Sequence, residues 1–423
     1  MRTGSRGSCK RSNIKSEIAQ GLVCDRKGLS YMAAVSEIFP GISIIDSDTH
    51  WSEPPDLWTS LAPAKYKDLV PQMKEHNGRR KWVVNGDIPI AGSSAVSAIL
   101  PDGEKMLGLN FLKADIEMVH AASYDCDARL KLMDQMGVSH GIVYPNVGGF
   151  GNQNFLKVED RSLRIACVEI YNDWMSDLQS RSGERILPMA LVPWWDIDAC
   201  IVEVERMQKN GSRGIVMCSN PHDSGMPNFS QPEWRPFWET CESLEMPINF
   251  HIGASEGDID WSGKVPYETW PGDVKISLGG AAIFLGQLRW MVNLLVSDVP
   301  ELYPNLKFVS VESGVGWIPF LLDALDYQCG ETAPQHLAHL SLKPSDYFRR
   351  QFYGCFWFES RTLGPAIEHL GPDRIMFETD IPHPTCLYPH SVERVRNAIS
   401  ELDPVIQKKI LQDNAADLYK IKV

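Results

Sequence analysis

Asp48 and His50 stand two residues apart at the end of an apolar run, Ile42-Ser43-Ile44-Ile45-Asp46-Ser47-Asp48-Thr49-His50. The β-branched residues make that run a buried strand, and alternation along a strand puts Asp46, Asp48 and His50 on one face. A carboxylate and an imidazole so spaced can grip a single divalent cation. Three more stretches finish in the same residue types: Ile248-Asn249-Phe250-His251, Val309-Ser310-Val311-Glu312 and Phe377-Glu378-Thr379-Asp380, the last followed by His383. Taken singly, an acid or histidine at a strand end is usually solvated or hydrogen-bonded. Four such endings matter only if the fold brings them to one place.

The spacing of apolar runs predicts such a fold. Eight of them recur, at Ile42–Asp48, Val138–Asn146, Ile186–Trp194, Arg213–Ser219, Pro247–Gly253, Leu306–Ser313, Phe352–Phe358 and Arg374–Asp380. Helical stripes lie between most of them, such as Leu163, Ala166, Ile170, Trp174 and Leu178; Leu285, Leu288, Val292 and Leu295; and Ile318, Leu321, Leu322 and Leu325. Strand–helix alternation of this length predicts an α/β protein of the closed (β/α)8 TIM-barrel type, whose strand ends converge on one mouth. A doubly wound open sheet is the alternative, but no strand is followed by a glycine fingerprint for a nucleotide.

Two connections exceed what a minimal barrel needs. The one over residues 51–137 contains Lys81-Trp82-Val83-Val84-Asn85-Gly86-Asp87-Ile88-Pro89-Ile90, a hairpin with an Asn-Gly turn. The other, over 254–305, holds Trp261, Tyr267, Trp270 and a Pro271-Gly272 turn. Both leave from carboxyl ends of strands, where long loops shape pockets. Trp51, Trp261, Trp270 and Trp317 suggest an aromatic lining there, although tryptophan is equally ordinary core.

Composition bounds the function. With 43% hydrophobic and 22% charged residues in 423, the chain has ample core for a soluble domain. Its net charge of −13 argues against nucleic acid or an anionic membrane as partner, and no apolar run approaches a membrane span. Ten scattered cysteines without a CxxC read as reduced, in a cytoplasmic protein. Residues 1–31 differ from the rest: seven basic residues face only Glu17 and Asp25. Such a leader fits a transit peptide but has no secretory apolar segment, and Met32 stands just before the first strand. Residues 1–31 are therefore expected to be a dispensable disordered tail or a start-site artefact, with the barrel over 40–420.

The ordered set of motifs resembles the amidohydrolase superfamily, and within it the amidohydrolase-2 group that includes aminocarboxymuconate-semialdehyde decarboxylase. It comprises Asp46-Ser47-Asp48-Thr49-His50-Trp51-Ser52-Glu53-Pro54-Pro55-Asp56-Leu57-Trp58, Phe250-His251, Glu312-Ser313-Gly314-Val315-Gly316-Trp317, Thr379-Asp380-Ile381-Pro382-His383 and Asp413-Asn414-Ala415-Ala416-Asp417-Leu418-Tyr419. The resemblance runs from about Glu37 to Tyr419. It implies metal ligands at Asp48, His50, His251 and Asp380, with the family's usual first imidazole replaced by Asp48. Glu312 stands where the decarboxylases carry a catalytic histidine. Val216-Met217-Cys218-Ser219 ends the fourth strand without a Lys or Glu to bridge two metals, so one divalent ion is expected, zinc first and manganese or iron next. Glu312 leaves a second ion open.

Such an ion lowers the pKa of bound water to about 7 and polarises a carbonyl. Asp380 is then the expected general base, Glu312 a second proton-transfer group, and His383 a hydrogen-bonding partner of ligand or substrate. Glu53 reads more simply as a helix-entry or turn carboxylate. The absent sixth-strand histidine favours a hydrolase of small amides, esters, lactones or thioesters. A non-oxidative decarboxylase is the alternative, and a non-catalytic binding barrel ranks last. The expected partners are a small-molecule substrate and a second copy of the chain in a homodimer.

Overall fold

Ile44 and Ile45 open strand β1 (Ile44–His50), all of whose residues are buried. The computed structural model describes residues 39–76, 78–255, 257 and 267–423. The basic leader 1–31 and Trp261 lie outside them. Beyond β1 the chain forms a small antiparallel sheet, β2 (Gln72–His76), β3 (Arg79–Val84) and β4 (Ile88–Pro89). Asn85 (φ 49°) and Gly86 (φ 92°) take the left-handed conformations that its tight turn demands.

The remaining strands are β5 (Val138–Tyr144), β6 (Ile186–Pro188), β7 (Ala190–Leu191), β8 (Ile215–Val216), β9 (Ile248–His251), β10 (Phe308–Val311), β11 (Phe352–Phe356) and β12 (Ile375–Phe377). All eight predicted strand segments are present, the third split at Met189 into β6 and β7. That split joins two runs of parallel sheet. Met189 N donates to Val143 O on one side, and Ala190 N donates to Gly214 O on the other, each at 3.0 Å. The ring closes beyond β12, where Asp380 N donates to Asp48 O (2.9 Å) and His50 N to Ile381 O (2.7 Å). The protein is therefore a (β/α)8 barrel.

Helices wrap the outside. Asp125, Asp160 and Asp196 cap helices Cys126–Met136, Arg161–Arg181 and Ile197–Lys209 by accepting backbone N–H groups of the first turn. Leu163, Ala166, Ile170 and Leu178 face the core as their spacing predicted, and so do Ile318, Leu321 and Leu322. The third stripe differs. A 3₁₀ turn at Leu285–Gln287 rotates the helix, so Trp290, Met291, Leu294 and Leu295 are buried while Leu285 and Leu288 are exposed. The same segment corrects the expectation that no stretch reaches membrane-spanning length. Gly272–Leu295 is long and apolar enough by length and composition alone, its glycines and serine having masked this in the sequence.

Inside the barrel, Asn249 Oδ1 accepts from Tyr144 (3.2 Å) and Tyr419 (2.6 Å), so the closing motif of the chain plugs the interior. On the mouth side, Ala98 N donates to Pro382 O (2.8 Å), tying the first long connection to the segment after β12. Leu109 N donates to Asp273 Oδ1 (2.9 Å), joining the two long connections to each other.

Asp46 holds the closing seam by accepting from both the backbone N–H (2.8 Å) and the hydroxyl of Thr379. Asp46→Ala leaves a buried N–H without a partner and is expected to lower unfolding stability by about 1–3 kcal/mol in urea titrations. Asp46→Asn keeps an acceptor and should lose less.

Candidate metal centre

The seam brings β1 and the residues after β12 together, and β9 and β10 present the facing side chains. His50 Nε2 and His251 Nε2 are 3.0 Å apart, and His251 Nε2 is 3.0 Å from Glu312 Oε2. Asp48 approaches both imidazoles, at 3.5 Å from His50 and 3.7 Å from His251, while Asp380 Oδ1 lies 3.6 Å from His50 Nε2. Every one of these side chains is buried. They form two overlapping groups, Asp48–His50–His251–Glu312 and His50–Glu312–Asp380–His383, each with its ligand atoms within 4.8 Å of one another. The expected quartet of Asp48, His50, His251 and Asp380 is thus divided between the two groups, and Glu312 belongs to both.

Chemistry of the donor set fits a cation. His251 Nδ1 faces the carbonyl of Ile252 at 2.8 Å, so it carries the hydrogen and Nε2 aims a lone pair into the cluster. Both Asp48 oxygens and Glu312 Oε2 are buried without a hydrogen-bond donor. Unpartnered carboxylates in such a place are costly. Burial, reinforced by Glu378, Glu312 and Asp380, pushes the Asp48 carboxyl well above its ordinary range. Burial, then Asp380 and Glu378, does the same to Glu312. Burial holds His50 well below its usual value and His251 at about 3, both neutral as metal ligands must be. A divalent ion removes the repulsion that these acids impose on one another.

The backbone is strained where it delivers the ligands. Glu312 (φ 56°) and Asp380 (φ 62°) both sit in the left-handed region, a conformation costing about 1–3 kcal/mol at a non-glycine residue. Glu378 Oε2 accepts Glu312 N (3.1 Å) and Thr385 donates to Asp380 Oδ2 (2.9 Å), holding both in place. His383 stacks on His50 with ring centroids 3.5 Å apart. Its Nδ1 lies 2.8 Å from Asp380 Oδ1 and its Nε2 2.8 Å from Asn146 Oδ1.

Several sequence expectations change here. Asp46, expected beside Asp48, takes part in neither group, because the β1–β5 register shifts between Asp46 and Thr49. Glu53 is no turn carboxylate: it is buried and its Oε1 accepts Asn146 N (2.8 Å) and Val147 N (3.0 Å). Trp51 is buried against Arg129 and Trp174 rather than lining the mouth. Asn146 ends a recognised strand but resembles any turn-forming residue. Arg129 had no signal at all: buried in its helix, it donates to His50 O (2.7 Å) and Ala122 O (2.5 Å).

A family model described as amidohydrolase matches residues 127–421. The chain belongs to the amidohydrolase family, in the group typified by aminocarboxymuconate-semialdehyde decarboxylase. Among curated relatives, it is 27% identical over 311 residues to gamma-resorcylate decarboxylase of Polaromonas sp. strain JS666, covering 70% of this chain and 87% of that one. An amidohydrolase from Mycobacterium avium subsp. paratuberculosis K-10 shares the fold with a TM-score of 0.72 at 22% identity, covering 90% of this chain and 99% of the other. A dihydroxybenzoic acid decarboxylase from Polaromonas sp. JS666, solved with manganese and 2-nitroresorcinol, superposes with a TM-score of 0.58 at 21% identity over 90% of this chain and 97% of its own.

These relatives overturn the hydrolase expectation, since the named curated match is a decarboxylase. The physical reason is that one metal-binding mouth serves both chemistries. The strand-end acids and imidazoles do not distinguish attack by water from cleavage of a carbon–carbon bond, and Glu312 in place of the sixth-strand histidine does not decide between them.

Stripping the metal should make stability depend on pH in a defined direction. Above pH 6.5, the ordinary value of imidazole, the histidines contribute no further change. The raised carboxyls of Asp48 and Glu312 then set the sign: they favour the metal-free fold while protonated, and that contribution is lost as pH rises through their raised values. The gap in melting temperature between metal-loaded and chelator-treated protein is expected to widen as pH rises through the raised carboxyl values. A constant gap would count against a carboxylate-rich metal site.

Proposed function

We propose that the protein is a metal-dependent, non-oxidative decarboxylase of hydroxylated aromatic acids, with the carboxylate and an adjacent hydroxyl of the substrate directed at the metal centre. The observation that supports this most is the similarity to gamma-resorcylate decarboxylase over 87% of that enzyme, alongside a buried cluster suited to a divalent ion. Asp48, His50, His251 and Asp380 are the proposed ligands of one ion, with Glu312 in contact with it or with its water. The oxygen-rich donor set favours manganese over the zinc first expected, in keeping with the manganese of the Polaromonas decarboxylase structure. When bound, the ion supplies positive charge that holds and polarises the substrate's carboxylate and hydroxyl.

The side chains supply the proton. Loss of carbon dioxide requires the ring carbon bearing the carboxylate to take up a hydrogen. The facing pair Asp380 Oδ1 and His383 Nδ1, 2.8 Å apart, is placed to hold that proton and give it to the carbon. The carbon–carboxylate bond then breaks, its electron pair restores the aromatic ring, and carbon dioxide leaves. Water returns a proton to the pair. Asn146 at His383 Nε2 keeps the imidazole oriented throughout.

Incubating the purified metal-loaded protein with 2,6-dihydroxybenzoate should release carbon dioxide and 1,3-dihydroxybenzene. Turnover of esters or lactones with no action on hydroxybenzoates would overturn the reading. His251→Ala should lose both metal and turnover. Asp380→Asn, which still offers an oxygen donor but cannot deliver a proton, should keep much of the metal while turnover falls about 10²-fold or more. Full metal and full turnover in His251→Ala would show that the ligands are misassigned.

A further inference from the structure

The loop after β5 reads Asn146-Val147-Gly148-Gly149-Phe150-Gly151-Asn152-Gln153, and Phe150 is the half-buried residue among its buried neighbours. Its ring lies against three imidazoles of the metal centre, with centroid distances of 4.2 Å to His251, 5.3 Å to His50 and 5.8 Å to His383. This aromatic side chain therefore stands directly at the approach to the ligand cluster.

The loop holds it there firmly. Gly151 is wedged between strand ends, where a Cβ would fall 2.2 Å from Ala254 O and 2.9 Å from Cys218 Cα. Trp194 Nε1 donates to Gly151 O (2.5 Å), and Gln153 accepts from Gly151 N (2.9 Å) while donating to Gly253 O (2.8 Å). Gly253 completes the wall: a Cβ there would meet Phe150 at 3.5 Å and Ile283 at 3.1 Å. Phe150, Ile283 and the bare backbone of Gly253 thus make an apolar surface beside a site otherwise built from acids and imidazoles.

We propose that Phe150 determines the substrate class, forming the wall against which the substrate's aromatic ring rests while its carboxylate reaches the metal centre. The inference rests on the decarboxylase reading and adds to it the residue that recognises the ring. Ring-on-ring contact next to the imidazoles selects a flat apolar body over an aliphatic acid bearing the same carboxylate and hydroxyl. It also keeps water away from the ring carbon that must take the proton.

The test compares metal-loaded wild type with Phe150→Ala and Phe150→Leu. Turnover of 2,6-dihydroxybenzoate is measured, together with calorimetric affinity for that acid and for lactate, an aliphatic 2-hydroxy acid. Phe150→Ala should raise KM and weaken aromatic binding by about tenfold or more, with kcat changed far less. Phe150→Leu, still apolar but without a ring face, should fall between, and metal content and lactate affinity should match wild type in both. Equal weakening for the two acids, or an unchanged KM in Phe150→Ala, overturns the assignment. Wild type that neither binds nor converts 2,6-dihydroxybenzoate sinks the functional reading and this inference with it. Wild type that turns over alongside a variant indistinguishable from it sinks the inference alone. Should Phe150→Ala fail to fold, Phe150→Leu decides by the same measurements.

Discussion

Closure of the barrel and assembly of the candidate metal centre draw on the same residues. The backbone bonds from Asp380 N to Asp48 O and from His50 N to Ile381 O complete the ring of strands. The side chains of those same residues, Asp48, His50 and Asp380, enter the ligand cluster. Parallel strands need non-local pairing, and here the first and last strands of the chain must find each other before Asp380 and His383 can meet His50. Asp46 adds a side-chain clasp to Thr379 at the same seam. The register irregularity between Asp46 and Thr49 divides the labour, leaving one acid for closure and the next for chemistry.

A site of this kind opposes folding electrostatically. Asp48, Glu312, Glu378 and Asp380 are buried together, and two of the ligand-bearing residues adopt a backbone conformation normally left to glycine. Such features persist only where the surrounding structure overdetermines them. The barrel does so with hydrogen bonds to the backbone around the ligands: Glu378 to Glu312 N, Arg129 to His50 O, Glu53 to the strand end that carries Asn146. Few of these contacts touch a ligand atom. They fix the chain from which the ligands project.

Much of this was legible in the sequence, for a physical reason. Period-two alternation and the recurrence of short apolar runs report on burial, which is a local property, so all eight strand segments and their polar endings could be read directly. Asp48, His50, His251, Glu312 and Asp380 could be expected to meet because a barrel sends every strand end to one rim, and the structure brings their side chains together. What escaped depended on contacts between distant segments. Arg129 looks like any helical arginine until the fold places it under His50. Phe150 looks like part of a flexible glycine-rich turn until Gly151 is seen pressed against Ala254. The sequence could not rank the two chemistries it left open, because a metal-binding mouth is common to hydrolysis and decarboxylation, and the relatives favour the second.

The guanidinium of Arg129 has a consequence for how this barrel can be diversified. One buried cation binds Ala122 O, within the first long connection, and His50 O, at the tip of β1, from a helix that starts only at Cys126. The connection and the strand therefore share a single fastening. A chimera that grafts a relative's loop across residues 51–125 but keeps the native helix leaves Arg129 facing a loop whose backbone carbonyls follow a different path. In this chain the transferable unit is the connection together with Cys126–Met136.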